Sequence, residues 1–136
     1  MLVVTLIGVL ALVAYPIYSG YQDRVHSHTA AQHILAMSQS IQNYRTDNGA
    51  YPDSLADVNL AGATDPWGRP FVYYNTDARG RGGARKDHAL NPINTDFDLY
   101  SLGPDGKTKP QISQKDSVDD VIRGRNGAFV GIAADF

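Results

Sequence analysis

The residues best placed to do chemistry lie late in the chain. Leu102-Gly103-Pro104-Asp105-Gly106-Lys107 is followed, after a polar loop, by Lys115-Asp116-Ser117-Val118-Asp119-Asp120-Val121. If that loop folds back, the carboxylates of Asp105, Asp116, Asp119 and Asp120 approach one another. Hard oxygen ligands of this kind, supplemented by backbone carbonyls, are what calcium selects. The spacing is not that of the helix-loop-helix calcium motif, which needs alternating acidic positions and a closing bidentate Glu. Taken alone, Pro-Asp-Gly is a good turn and Asp-Asp a solvated pair, so composition leaves both readings open.

Other chemistries find less support. His26 and His33 could share a helix face, but His28 points elsewhere and no acidic residue completes a ligand set at useful spacing. They read as surface residues of a helix. The chain has no cysteine, no serine in a nucleophile-elbow setting and no glycine-rich phosphate motif, so an enzyme is not expected. Asp77-Ala78-Arg79-Gly80-Arg81-Gly82-Gly83-Ala84-Arg85-Lys86 is glycine-rich and basic. Arg and Lys could contact phosphates there, but no aromatics are interleaved and the formal charge is -2. A soluble hairpin connection is the favoured reading, with nucleic acid an unexpected partner.

The element that must carry these loops is the opening run, Met1 to Gln22, which holds no Asp, Glu, Lys, Arg or His. As a helix it spans about 33 Å, the thickness of a bilayer's hydrocarbon core. Pro16 removes a backbone donor, so a kink or local opening is expected there, with Gly8 and Gly20 loosening the run further. A cleaved signal sequence would need a basic start and a small-residue cleavage site, and neither is visible. From His26 to Tyr44 there is no Pro or Gly, and Ile34, Met37, Ile41 and Tyr44 recur at helical spacing. Gln32, Gln39, Ser40, Gln42 and Asn43 suit a solvated back. Asp47-Asn48-Gly49 should end the helix, since Asn and Gly accept the left-handed conformation. The expected organisation is a membrane or filament-core segment at 1–22 and a globular domain at 23–136 that includes the second half of the helix.

About ninety residues remain after the helix, enough for one small domain. Without cysteine, neither a disulfide framework nor a thiolate metal site is available. Tyr51 to Val58 reads as a turn entering a short helix capped by Asp53 or Ser54. Asp65-Pro66-Trp67-Gly68-Arg69-Pro70 reads as a rigid turn whose indole plugs the core beneath it. Phe71-Val72-Tyr73-Tyr74 has strand composition, and Asp96 to Leu102 alternates polar with apolar as a half-buried strand should. Paired as antiparallel neighbours on the helical stripe, they define an α+β fold. The tail, Ile122 to Phe136, could add a strand or cover the sheet.

The apolar opening with Gly8 and Pro16 resembles the N-terminal helix of type IV pilins and of the pseudopilins of type II secretion. Asp47-Asn48-Gly49-Ala50-Tyr51-Pro52, Asp65-Pro66-Trp67-Gly68-Arg69-Pro70 and Asp98-Leu99-Tyr100-Ser101-Leu102-Gly103-Pro104-Asp105-Gly106 are similar, in order, to the major pseudopilins in particular. The resemblance implies a pilin-like fold and a homo-oligomeric helical filament. It also implies a single-pass anchor in the bacterial inner membrane before assembly, with the globular domain in the periplasm. Other pseudopilins and an inner-membrane assembly platform would be the partners, and the filament would push folded substrates through an outer-membrane channel. The resemblance further implies a calcium ion in the loop after the last strands. Asp105 matches one side-chain ligand and the Leu102 carbonyl a backbone one. Asp119 and Asp120 match the acidic pair that closes the loop, with the Ser117 carbonyl a further ligand. The loop from Lys107 to Asp116 is longer than in the family, which leaves the choice between Asp116 and Asp119 open. The family's mature chain opens with Phe and carries a Glu at its fifth position, behind a basic leader, and Met1 falls about where the seventh mature residue would be. The alternative is a pilus subunit for adhesion, DNA uptake or motility, whose basic loop with Arg123 and Arg125 would bind DNA or a host surface.

Overall fold

The computed structural model describes residues 1–136 and begins with one helix, α1, from Leu2 to Asn48. It stops where Gly49 adopts a left-handed φ of 77° and its N–H returns to the Arg45 carbonyl at 2.7 Å. The local opening expected at Pro16 does not occur: the helix is continuous through it, and Ser19 Oγ donates to the Pro16 carbonyl at 3.1 Å. The cost of the missing donor and the ring clash, about 3 kcal/mol, is borne without breaking the helix.

The two halves of α1 meet different surroundings. Residues 1–22 are exposed throughout, and none of this apolar stretch is buried against the rest of the chain. In the second half Ile34, Met37 and Ile41 are buried as their spacing predicts, and the seam extends upstream through Ala30 to Ser27. Tyr44 is half-buried.

That seam lies on a four-stranded antiparallel meander in the order β1-β2-β3-β4. The strands are β1 Val72–Asn75, β2 Phe97–Ser101, β3 Val121–Gly124 and β4 Phe129–Ile132. The pairing predicted between the two central segments is present, with Tyr73 opposite Leu99, and the tail adds β4, with Val130 opposite Arg123. Phe97, Leu99 and Val121 face α1 and join Tyr51 and Phe71 in one core. Ile93, Ile112, Ile122 and Ala133 form a second core on the opposite face.

The second core corrects the expected half-buried character of β2. The loops flanking β2 fold over its outer face and are bonded to each other: Lys86 N–H reaches the Pro110 carbonyl and Ile112 N–H the Lys86 carbonyl, both at 2.9 Å. Asp98 is therefore 1% exposed instead of solvated. It accepts the Arg85 N–H at 2.6 Å and Asn94 Nδ2 at 2.8 Å. Burial raises its pKa above the usual carboxylate value, and those hydrogen bonds offset only part of the rise.

Two smaller elements also depart from expectation or refine it. Ser54, not Asp53, caps the 3-10 turn Leu55–Val58, with Asp57 Oδ2 accepting the Ser54 N–H at 2.8 Å. Trp67 sits half-buried at the rim of the core rather than plugging it. Its Nε1–H donates to Asp23 Oδ1 at 3.3 Å, and His26 meets its ring edge-on at 5.5 Å. His26 is thus half-buried beneath an indole and not a plain surface residue.

Candidate metal centre

After β2 the chain turns sharply through Leu102 to Lys107. Gly103 and Gly106 take φ values of 63° and 69° there. A Cβ on Gly103 would fall 2.3 Å from the Asp119 carbonyl oxygen, and one on Gly106 would fall 2.7 Å from the Arg69 guanidinium. Both glycines are needed for conformation and for space.

The Asp65–Pro70 turn supports this loop from below. Asp65 Oδ1 accepts the N–H groups of Trp67 and Arg69 at 3.1 and 2.9 Å, which shapes its own turn. Its Oδ2 takes the Ser101 hydroxyl at 2.5 Å, at the end of β2. Arg69 then donates to the carbonyls of Gly103 and Pro104, the latter at 3.1 Å. Two motifs far apart in the chain interlock, and Arg69 is the clamp.

The closing segment arrives from the other side. Ser117 Oγ is buried, accepts the Lys109 N–H at 2.7 Å and donates to the Lys109 carbonyl at 3.0 Å. The Ser117 carbonyl accepts the Asp120 N–H at 3.2 Å. Asp119 Oδ2 meets the Asp105 N–H at 3.3 Å, while Asp105 Oδ1 accepts the Lys107 N–H at 2.8 Å. Burial is the main reason that the Asp119 pKa is raised, and the neighbouring Asp105 charge adds to it.

Asp120 is fully buried and turned another way. Its Oδ2 receives Arg85 Nη2 and the Thr108 hydroxyl, both at 2.6 Å. Burial outweighs both bonds and pushes its pKa up to about 6, with the Asp119 charge contributing. The Oδ1 atoms of Asp119 and Asp120 are both buried without a hydrogen-bond partner.

Of the residues singled out in the sequence, Asp105 and Asp119 come together, and it is Asp119 rather than Asp116 that bonds to Asp105; Gly103, next to Leu102, lies against the Asp119 carbonyl. Ser117 and Asp120 are bonded to each other through the backbone, but their side chains engage Lys109 and the Arg85–Thr108 pair instead. No three acidic or imidazole side chains converge, so the several-carboxylate cluster pictured from the sequence reduces to a carboxylate pair with carbonyls, because Arg85 engages Asp120. The donors are all oxygen, and two orphaned buried carboxylate oxygens lie among them. A hard divalent cation of the calcium type fits that chemistry.

Arg85 and Arg69 are the residues that sequence reasoning missed. Arg85 was expected in a solvated loop, yet it is 3% exposed and lies 4.3 Å over the Tyr100 ring. Nothing in its local spacing signals this; Arg69 was at least inside a motif already marked by resemblance. Arg123, expected as a surface cation, is 2% exposed, held by Asp96 at 2.7 and 2.8 Å, and lies over the Phe97 ring. The basic surface proposed for DNA therefore loses two of its arginines to buried ion pairs.

A bare apolar half-helix, continued by an amphipathic half laid on a small antiparallel sheet with an acidic loop, defines a subunit of the type IV pilin kind. The chain is 30% identical over 128 residues to the type II secretion system core protein G of Escherichia coli K12, covering 79% of this chain and 78% of that protein. The corresponding protein of Pseudomonas aeruginosa is 28% identical over 128 residues, 79% of this chain and 80% of its own length. That of Xanthomonas campestris is 31% identical over 108 residues, 78% and 74% of the two chains. No family model matches the chain, and no solved structure does. The chain belongs to the family of the type II secretion system core protein G, the major pseudopilins.

Proposed function

We propose that this chain is the repeated structural subunit of a type II secretion pseudopilus, a helical filament assembled from the inner membrane. The observation that carries the reading is the first half of α1, an uncharged apolar rod with none of its apolar window buried in its own domain. An apolar surface of that size needs lipid or other copies around it. Held in the membrane before assembly, it exchanges lipid contacts for contacts with neighbouring helices as the filament grows. The globular domain stays in the periplasm, and other pseudopilins and a membrane platform are its assembly partners. In cells lacking their own core protein G, the full chain should restore export and yield filaments, while a chain starting at Asp23 should yield a folded monomer only. Ordered filaments from the shortened chain would refute the reading.

Calcium is part of the proposal. Asp105 and Asp119 would supply side-chain oxygens, the carbonyls of Leu102 and Ser117 backbone ones, and Asp120 its unpartnered Oδ1. When bound, the ion supplies positive charge that offsets the repulsion between Asp105 and Asp119. Support comes from the orphaned carboxylate oxygens and from the raised pKa values of Asp119 and Asp120. Arg69 holds the loop open-handed by its carbonyls, and Arg85 keeps Asp120 ionisable beside it.

A further inference from the structure

We propose that the Asp65–Arg69 turn is a membrane-surface contact, seating Trp67 in the phospholipid headgroup layer before the subunit enters a filament. The inference rests on the reading of α1 as membrane-embedded and goes beyond it to the globular domain.

The argument is one of position along a rigid rod. The charge-free apolar run of α1 ends at Gln22 and the first charges, Asp23 and Arg24, follow at once, which marks where the rod leaves hydrocarbon. Tyr15, Tyr18 and Tyr21 close that span, 76%, 60% and 66% exposed. Aromatic residues with a polar tip gather at the membrane–water boundary for a physical reason: an apolar ring is placed in the interface while its hydroxyl or N–H stays wet. Gln22 already satisfies the Tyr18 hydroxyl at 2.8 Å, on the polar side of the band.

Asp23 is the next residue but one after Tyr21, about 3 Å further along the axis. It is to Asp23 that Trp67 bonds, at 3.3 Å, and His26 one turn on that meets the indole edge. The headgroup layer is roughly 5–8 Å deep on each side of the hydrocarbon. The turn carrying Trp67 is thereby held at headgroup depth for as long as α1 spans the bilayer. The indole is half-buried with its N–H satisfied, and Arg24, exposed beside Asp23 on α1, adds a cation at phosphate level.

The site is also rigid. Asp65 locks the turn through two backbone N–H groups and ties it to Ser101, and Arg69 anchors it to the carbonyls of Gly103 and Pro104. Docking therefore fixes the orientation of the whole domain and not only that of a loop.

Trp67 is the single tryptophan, so its fluorescence reports the contact directly. The full chain is reconstituted into phosphatidylcholine–phosphatidylglycerol vesicles that carry a nitroxide either on the headgroup or in mid-chain. Flotation with the vesicles tests the membrane reading of α1 by itself; a chain that does not float refutes that reading. In the floated protein, the expected result is a loss of Trp67 emission that is larger with the headgroup label than with the mid-chain label. A companion chain with Trp67→Phe and Tyr74→Trp moves the reporter to β1 and should lose no emission to either label. Absence of lipid quenching at Trp67, stronger quenching by the mid-chain label, or equal quenching at both reporter positions overturns the proposal. So does shielding from aqueous iodide that grows with protein-to-lipid ratio without lipid quenching, which would assign the surface to a second copy.

Discussion

Replacing Arg85 by Met should be among the most damaging single changes in the globular domain. Arg85 and Asp120 are 3% and 0% exposed and 2.6 Å apart. Removing the cation leaves a buried carboxylate held by the Thr108 hydroxyl alone, with its other oxygen unpartnered. Breaking a buried pair in this way costs about 3–5 kcal/mol, whereas replacing both partners by apolar groups is often neutral. For a domain of this size the single change corresponds to roughly 10–25 °C in the melting midpoint. The assay is thermal unfolding of the full chain in mild detergent with chelator present, followed through Trp67. The companion double variant, Arg85→Met with Asp120→Leu, should recover most of the loss. The deficit of the single variant should also be smaller at pH 5 than at pH 8, because a protonated Asp120 is no longer a buried unpaired charge. A single variant within about 0.5 kcal/mol of the parent, the range of ordinary surface changes, would refute the reasoning. A double variant as unstable as the single would do so too.

Further outcomes follow from the same structure. Calcium at a hundredfold excess over its dissociation constant should stabilise the chain by about 2.7 kcal/mol. Asp105→Ala or Asp119→Ala should remove that shift, and a melting curve indifferent to chelator would eliminate the site. Without calcium, the raised Asp120 pKa stabilises the fold below its unfolded value of 3.8 and that contribution is lost as pH rises through about 6, a decline of at most ~3 kcal/mol readable in urea titrations. Gly103→Ala combines a left-handed φ with a Cβ driven into the Asp119 carbonyl. It should weaken calcium binding more than Gly62→Ala, where the Cβ meets nothing, as isothermal titration would show. Ile34→Ala, at a position with no exposure, should cost about 2–5 kcal/mol in denaturant unfolding.

What could be read from the chain were its local and periodic features. The apolar run without charge, the stripe Ile34-Met37-Ile41 and the Asn48-Gly49 stop define α1 because helix geometry repeats over a few residues and needs no distant partner. The β1–β2 pairing was legible from strand composition, although the segment between them is a long loop opening with a helical turn at Thr76–Arg79 instead of a hairpin. Asp105 and Asp119 stood out by residue type. Tertiary contact decided the rest. Asp98 and Asp120 became buried because two loops close over the outer face of β2, and no local pattern records which loop will cover which strand. Arg85 looked like one of several arginines in a glycine-rich loop, and only the closing segment delivers Asp120 to it. Trp67 and Asp23 are brought together by the packing of the turn on α1. Hydrogen bonds and ion pairs are short-ranged in space but indifferent to separation along the chain, so residue types can announce what chemistry is possible while the folded backbone alone determines which groups meet.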